Sequence, residues 1–129
     1  MGHMNVMFYV GKFDEATWQL FAALGLTPMY FRETQSGVVA LEQHLTYKKE
    51  LLSGAVIEIR SRIISLTEKV IVFLHEMHDA ETELVAATCK LTVTHIDRRL
   101  RKSSHFPASF RDEVRQFLEA ADSSVVKTN

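Results

Sequence analysis

The chain has one cysteine, two prolines, five glycines and almost no net charge in 129 residues, and each scarcity removes a class of explanation. The lone Cys89 has no partner for an internal disulfide, so a disulfide framework is excluded and a reducing cytoplasm is the expected setting. No apolar run approaches the roughly 18–20 residues that cross a bilayer, and no charged leader precedes an apolar segment, so a soluble chain without a membrane partner is expected. Fifteen basic residues against sixteen acidic ones leave a formal charge of −1. Nothing in that balance draws the chain toward nucleic acid, and an anionic ligand has to be held locally. With no Pro- or Gly-rich linker, no low-complexity stretch and no internal repeat, one domain over 1–122 with a frayed tail over 123–129 is expected.

What is present is patterning. Val6, Val10, Phe13, Thr17, Phe21 and Leu24 recur at threes and fours, with Tyr9, Ala16 and Leu20 beside them. This predicts a helix of about five turns, ended by Gly25 with Pro28 as the breaker beyond it. Gly11 inside it costs about 1 kcal/mol of helix propensity relative to Ala, and a close backbone neighbour is the expected compensation. After "RETQSG" the signal changes, and "VVALEQHLTYKKEL" predicts a long strand with Val39, Leu41, Leu45 and Tyr47 on one face and Glu42 and His44 on the other. "SGAVIEIRSRII" alternates Ala55, Ile57, Ile59, Ser61 and Ile63 against Val56, Glu58, Arg60 and Arg62. "KVIVFLHEM" and "LVAATCKLTVTHI" predict two more strands, and Phe110, Val114, Phe117, Leu118 and Ala121 a short amphipathic C-terminal helix. The expected class is α+β, a helix enclosed by a four-stranded antiparallel meander. Its unpaired sheet edges predict pairing with a second copy.

Several constellations could carry chemistry. "GHMNVMFY" sets Gly2, His3, Met4, Asn5 and Tyr9 at the start of the long helix, where free N–H groups and the positive dipole end can stabilise an oxyanion. Asn5 as a simple N-cap, and Gly2-His3-Met4 as a remnant of cloning, are the bland alternatives. "DRRLRKSSH" gathers Arg98, Arg99, Arg101 and Lys102, which suit phosphate oxygens, or else form a solvated strand exit. "HEMHD" is not a metal site: His75 and His78 stand three apart in a strand, pointing to opposite faces, and read as a polar end near a turn. Cys89 alternates with Val85, Ala87, Leu91 and Val93, as a small core residue does. No Gly-x-Ser-x-Gly elbow and no Walker loop is present, so Ser or Cys covalent catalysis is not supported, and no cofactor is called for.

Three of these stretches, in order and covering nearly the whole chain, resemble the hotdog-fold acyl-CoA thioesterase family, 4-hydroxybenzoyl-CoA thioesterase-like. Gly-His-x-Asn-x-x-x-Tyr is similar to that family's loop into the central helix, "TYKKELLSGAVIEIRSRI" to its second strand and turn, and "LVAATCKLTVTHIDRRLRKSSHFP" to its last strand. The resemblance implies hydrolysis of an acyl-CoA by water in a site shared between subunits of a homodimer or dimer of dimers. His3 and Asn5 would serve catalysis, and Gly2, Met4, Tyr9, Arg98, Arg99, Arg101 and Lys102 would bind substrate. The carboxylate that the family carries three residues before this Gly falls outside the chain. "YKKE" resembles a Tyr-Arg-Arg-Glu element of plant acyl-carrier-protein thioesterases, which makes Glu50 the substitute acid. Asp14 and Glu15 lie about 14–15 Å along the helix from Asn5, too far to share its oxyanion site except across a dimer interface. A non-catalytic acyl-CoA-binding dimer is the alternative, and a dehydratase on the same fold a third reading.

Overall fold

The structure, a computed structural model, describes residues 6–52 and 54–128. In chain order the elements are α1 (Val6–Ala23), α2 (Pro28–Thr34), β1 (Ser36–Tyr47), β2 (Ile57–Leu66), β3 (Val70–Asp79), β4 (Val85–Asp97), β5 (Lys102–Ser103) and α3 (Ala108–Thr128).

The periodicity of α1 does what it predicts. Tyr9, Phe13, Thr17 and Phe21, each four apart, form one buried stripe. The helix stops where its capping residues dictate. Gly25 takes φ 98°, and the N–H groups of Leu26 and Gly25 donate back to the carbonyls of Phe21 and Ala22 at 2.8 and 3.1 Å. Gly11 is a correction: a Cβ built there meets nothing within 4 Å, so among the described residues no backbone beyond its own helix approaches it. A short helix also appears that the sequence pattern did not predict, because Pro28, the expected breaker, opens α2 as well. A proline fits the first turn of a helix, where its missing N–H would have no partner anyway. The Thr27 hydroxyl caps that turn by accepting from the Tyr30 N–H at 3.1 Å.

The sheet is antiparallel throughout, with strand order β1-β4-β3-β2 and β5 paired to the end of β4. The expected four-strand meander is therefore corrected: β2, β3 and β4 form one, but β1 pairs with β4, from Ser36↔Asp97 to Tyr47↔Ala87. Burial explains the order. The inner faces of β3 and β4 carry Ile71, Phe73, Met77, Ala87, Cys89, Leu91 and Val93, all buried, and take the centre. β1 and β2, with Glu42, His44, Glu58, Arg60 and Arg62 on their other faces, take the edges, where charge is tolerated.

Two details of β1 differ from its pattern. It ends at Tyr47, so Lys48–Leu51 leave the sheet. Its register shifts between Ala40 and Glu42, a bulge that changes which residues look inward. Val38, Ala40 and Gln43 line a cavity with α1, whereas Val39 and Leu41 turn out to solvent and do not share a face with Leu45 and Tyr47. The alternation of β2 holds, with Ile57, Ile59 and Ser61 toward α1 and Glu58 paired with Arg60 at 2.9 Å.

α3 packs against β2 and closes the domain through buried Phe110 and Val114. Phe110 stacks on Phe106 at 4.7 Å and meets Phe21 edge-on at 6.4 Å. Its backbone continues as helix to Thr128, through the stretch that the sequence reads as a tail. One long helix lying in the curve of an antiparallel sheet is the hotdog arrangement, class α+β.

Phe21 is fully buried at the point where α1, β3 and α3 meet. Phe21→Ala is expected to lose about 3–5 kcal/mol in urea unfolding at pH 7. Gly11→Ala is expected to gain up to about 1 kcal/mol, since the added methyl meets open space. A loss at Gly11 in the same titration would place a second chain against it.

Candidate active site

The start of α1 is the natural place for anionic chemistry in this fold, because an 18-residue helix has its positive dipole end there. The end of β1 is brought to it. Tyr9 in the first turns of α1 meets Tyr47 edge-on at 5.3 Å, and just beyond Tyr47 the chain turns. The N–H groups of Lys48 and Lys49 both donate to the Ala86 carbonyl, at 2.8 and 3.0 Å, and Leu51 is buried. Between these anchors Glu50 is exposed. Val6, Tyr9, Tyr47, Lys48, Lys49 and Glu50 line a cavity of about 330 Å³. Glu50 and Tyr9, 41 positions apart in sequence, thus stand on one cavity wall beside the first turn of α1. Gly2, His3, Met4 and Asn5 lie outside the described residues.

The basic cluster is assembled elsewhere. Arg98, Arg101, Lys102 and Ser103 line a cavity of about 640 Å³ with the outward-facing Val39, Leu41, Thr94 and Ile96. Arg99 is not among its lining residues. Arg98 is also structural: its Nη2 donates to the Phe31 carbonyl at 3.1 Å and its N–H to the Gln35 carbonyl at 2.9 Å, which fastens α2 to β4. The Asp97 carboxylate accepts from the N–H groups of Leu100 and Arg99, which hold its pKa below the usual carboxylate value and shape the turn. Because Asp97 pairs with Ser36 and Ala87 with Tyr47, this cluster and Glu50 sit at opposite ends of β1. Twelve residues of strand put those ends roughly 35 Å apart. One chain does not bring the two halves of the expected site together.

A third feature was not foreseen. His75 is not a polar end near a turn but fully buried beneath α1. Its ring lies parallel to Phe13 at 6.0 Å. Thr17 Oγ1 donates its only proton to the Phe13 carbonyl at 3.0 Å, so at 2.9 Å from His75 Nε2 it must accept. That places the imidazole proton on Nε2 and makes Nδ1 the acceptor for the Ser61 hydroxyl at 2.6 Å. Burial lowers the His75 pKa to about 4, so the ring is neutral at pH 7. The signal was in the sequence: His75 occupies the same alternating positions as Ile71, Phe73 and Met77. His95 forms a matching joint, with Tyr30 Oη at 2.9 Å from Nε2 and Ser104 Oγ at 2.8 Å from Nδ1. Cys89 is buried as expected, and burial pushes its thiol up to about 11. Among the described residues no group of three His, Cys, Asp or Glu side chains could hold a metal.

Comparison with known proteins adds what geometry alone does not. Residues 1–118 match the Thioesterase-like superfamily. A betainyl-CoA thioesterase of Pseudomonas aeruginosa PAO1 is 24% identical over 119 residues, 92% of this chain and 75% of that protein. A Staphylococcus aureus protein solved in complex with CoA superposes with a TM-score of 0.88 at 23% identity, covering 92% of this chain and 75% of its own. A gentisyl-coenzyme A thioesterase structure gives a TM-score of 0.76 at 20% identity, covering 88% of each chain. These structural likenesses agree with the helix-in-sheet fold described above.

The His75 network makes a pH prediction. The folded pKa of about 4 lies below the ordinary 6.5, so between these values the unfolded chain binds more protons and stability falls as the pH falls. The contribution is fully present above pH 6.5 and is lost as the pH drops through about 4. His75→Gln is expected to be less stable at pH 7, by about 1–3 kcal/mol. Its stability should also fall less steeply than that of the parent between those pH values, as read by urea midpoints across the range. His95 contributes a slope of the same sign to both proteins, so the difference isolates His75.

Proposed function

The chain belongs to the thioesterase-like superfamily, and from that membership we propose that it hydrolyses an acyl-CoA thioester to the free acid and CoA. The observation that carries the reading is the cavity at the start of α1, where Glu50 faces the end of the helix able to hold a developing oxyanion. Water adds to the thioester carbonyl carbon, with Glu50 taking its proton, and the backbone amides from His3 to Val6 hold the carbonyl oxygen as it becomes negative. Asn5 positions the water or the carbonyl. Collapse of the tetrahedral intermediate expels the CoA thiolate, to which His3 donates a proton. Attack by the carboxylate itself, followed by hydrolysis of the resulting anhydride, is the variant of this path.

CoA is favoured over acyl-carrier protein as the carrier. Two of the similar proteins are named for CoA thioesters and a third was solved with CoA. In this chain Arg98, Arg101 and Lys102 form a local basic cavity in an otherwise neutral protein, suited to the diphosphate and 3′-phosphate, with Arg99 beside it. The length of β1, which puts its basic end and its Glu50 end roughly 35 Å apart, favours an active site shared between two copies. β1 is an edge strand, and pairing it antiparallel with the β1 of a second copy lays the basic end of one chain beside the Glu50 end of the other. A cytoplasmic homodimer, or dimer of dimers, follows as the working assembly.

The test is hydrolysis of a panel of acyl-CoAs, short, branched, aromatic and long, with betainyl-CoA included. His3→Ala, Asn5→Ala and Glu50→Gln are each expected to lower kcat by on the order of 100-fold or more. The double variant Arg101→Ala, Lys102→Ala is expected to raise KM about tenfold with little change in kcat. CoA binding without turnover of any thioester would favour the non-catalytic dimer.

A further inference from the structure

The groove along the other flank of α1 contains a feature that the hydrolytic reading leaves unused. Between α1 and the inner faces of β1 and β4 lies a cavity of about 550 Å³, lined mostly by apolar groups such as Val10, Phe13, Leu91 and Val93. It continues from the proposed reaction site, since Val6 lines both this cavity and the one that holds Glu50. Among the described residues its one charged lining residue is Asp14. Lys12 is taken by Glu15 at 3.4 Å, and Asp14 makes no ion pair among the described residues. One helical turn on, Trp18 lines the same cavity and is half-exposed. Phe21 and Phe31 hold its ring edge-on at 6.5 and 6.2 Å. A carboxylate and a fixed indole four residues apart on one helix face are the two groups that attract an organic cation, the first by charge and the second by its ring quadrupole.

We propose that this groove takes the acyl group and that Asp14 and Trp18 select acyl chains whose far end carries a positive charge. The inference rests on the thioester reading for where the chain begins, and helix geometry then sets its length. Asp14 stands eight residues beyond Val6, a rise of about 12 Å, somewhat less once its side chain leans back toward the helix start. A medium-length ω-ammonio acyl chain spans that distance, and a short one does not.

The experiment compares 8-aminooctanoyl-CoA with its neutral isostere nonanoyl-CoA. Affinity is read by calorimetry on non-hydrolysable thioether analogues of both, and turnover is followed separately on the thioesters. The expected result is that the ammonium analogue binds about five- to tenfold tighter than the neutral one. That ratio should fall to near unity in Asp14→Asn, fall partly in Trp18→Leu, and be restored in Asp14→Glu. Equal affinities, a preference for the neutral chain, or a ratio unmoved by Asp14→Asn would overturn the proposal. So would analogues that bind no better than CoA itself, the result expected if a second copy of the chain fills the groove. If the ratio behaves as expected while neither thioester is hydrolysed, the cation selection stands and the hydrolase reading falls.

Discussion

Everything in this fold follows from burying one stripe of α1. Four side chains spaced four apart, Tyr9, Phe13, Thr17 and Phe21, have to be covered on a single flank, and only a curved sheet covers a helix of this length along its whole run. The stripe is mostly hydrocarbon, which gives adhesion but little register. Register comes from Thr17, whose hydroxyl donates to the Phe13 carbonyl and accepts from the buried His75, which in turn accepts from Ser61. A slip of α1 by one turn would leave the buried His75 Nε2–H without its acceptor, an unsatisfied buried donor that costs about 1–3 kcal/mol. With the helix pinned in this way, its N-terminus is delivered to the end of β1.

Strand order follows from the same burial. The strands with unbroken apolar inner faces, β3 and β4, lie under the helix, and the charged ones are left at the edges. Placing β1 at an edge beside β4 has a functional consequence. It separates the acidic end and the basic end of the candidate site by the length of a strand, and it leaves the backbone of β1 free along that same length. On the proposed reading, two copies paired antiparallel along β1 would bring these two ends together. The gap in the single chain and the open edge are one constraint seen twice.

The sequence made α1, the C-terminal helix and the class legible because their information is local. Period 3.6 in α1, the Gly25 cap and the alternation of β2 depend on neighbours within a few residues, and the capping hydrogen bonds agree with them. What was not legible was set by distant partners. Nothing near Ser36 says that it will lie beside Asp97 rather than beside β2, and the bulge after Ala40, which sends Leu41 outward, is a response to β4. Pro28 was misread for a different reason, since proline both ends one helix and starts another and only the Thr27 cap tells the two apart. His75 was misjudged by its polarity. Its position in the alternation was that of a core residue, and chemistry outweighed pattern where pattern was the better guide. Glu50 was reached through a four-residue likeness, and no spacing rule would have set it beside Tyr9.

Burial also decides which chemistry this scaffold can host. The interior holds two residue types that elsewhere supply bases and nucleophiles, His75 and Cys89, and the same desolvation acts on both. It removes the charge from each, pushing the imidazole down to about 4 and the thiol up to about 11, so one binds protons poorly and the other releases them poorly at pH 7. Neither can act as a ready acid, base or thiolate while the core stays intact. Reactive protonation states are left to the rim, where carboxylates such as Glu50 stand in contact with solvent at the start of α1. A rim of this kind has water at hand and a helix end to hold an oxyanion, but no buried nucleophile. Direct attack by water, or by the rim carboxylate, is the chemistry such a distribution of charge permits.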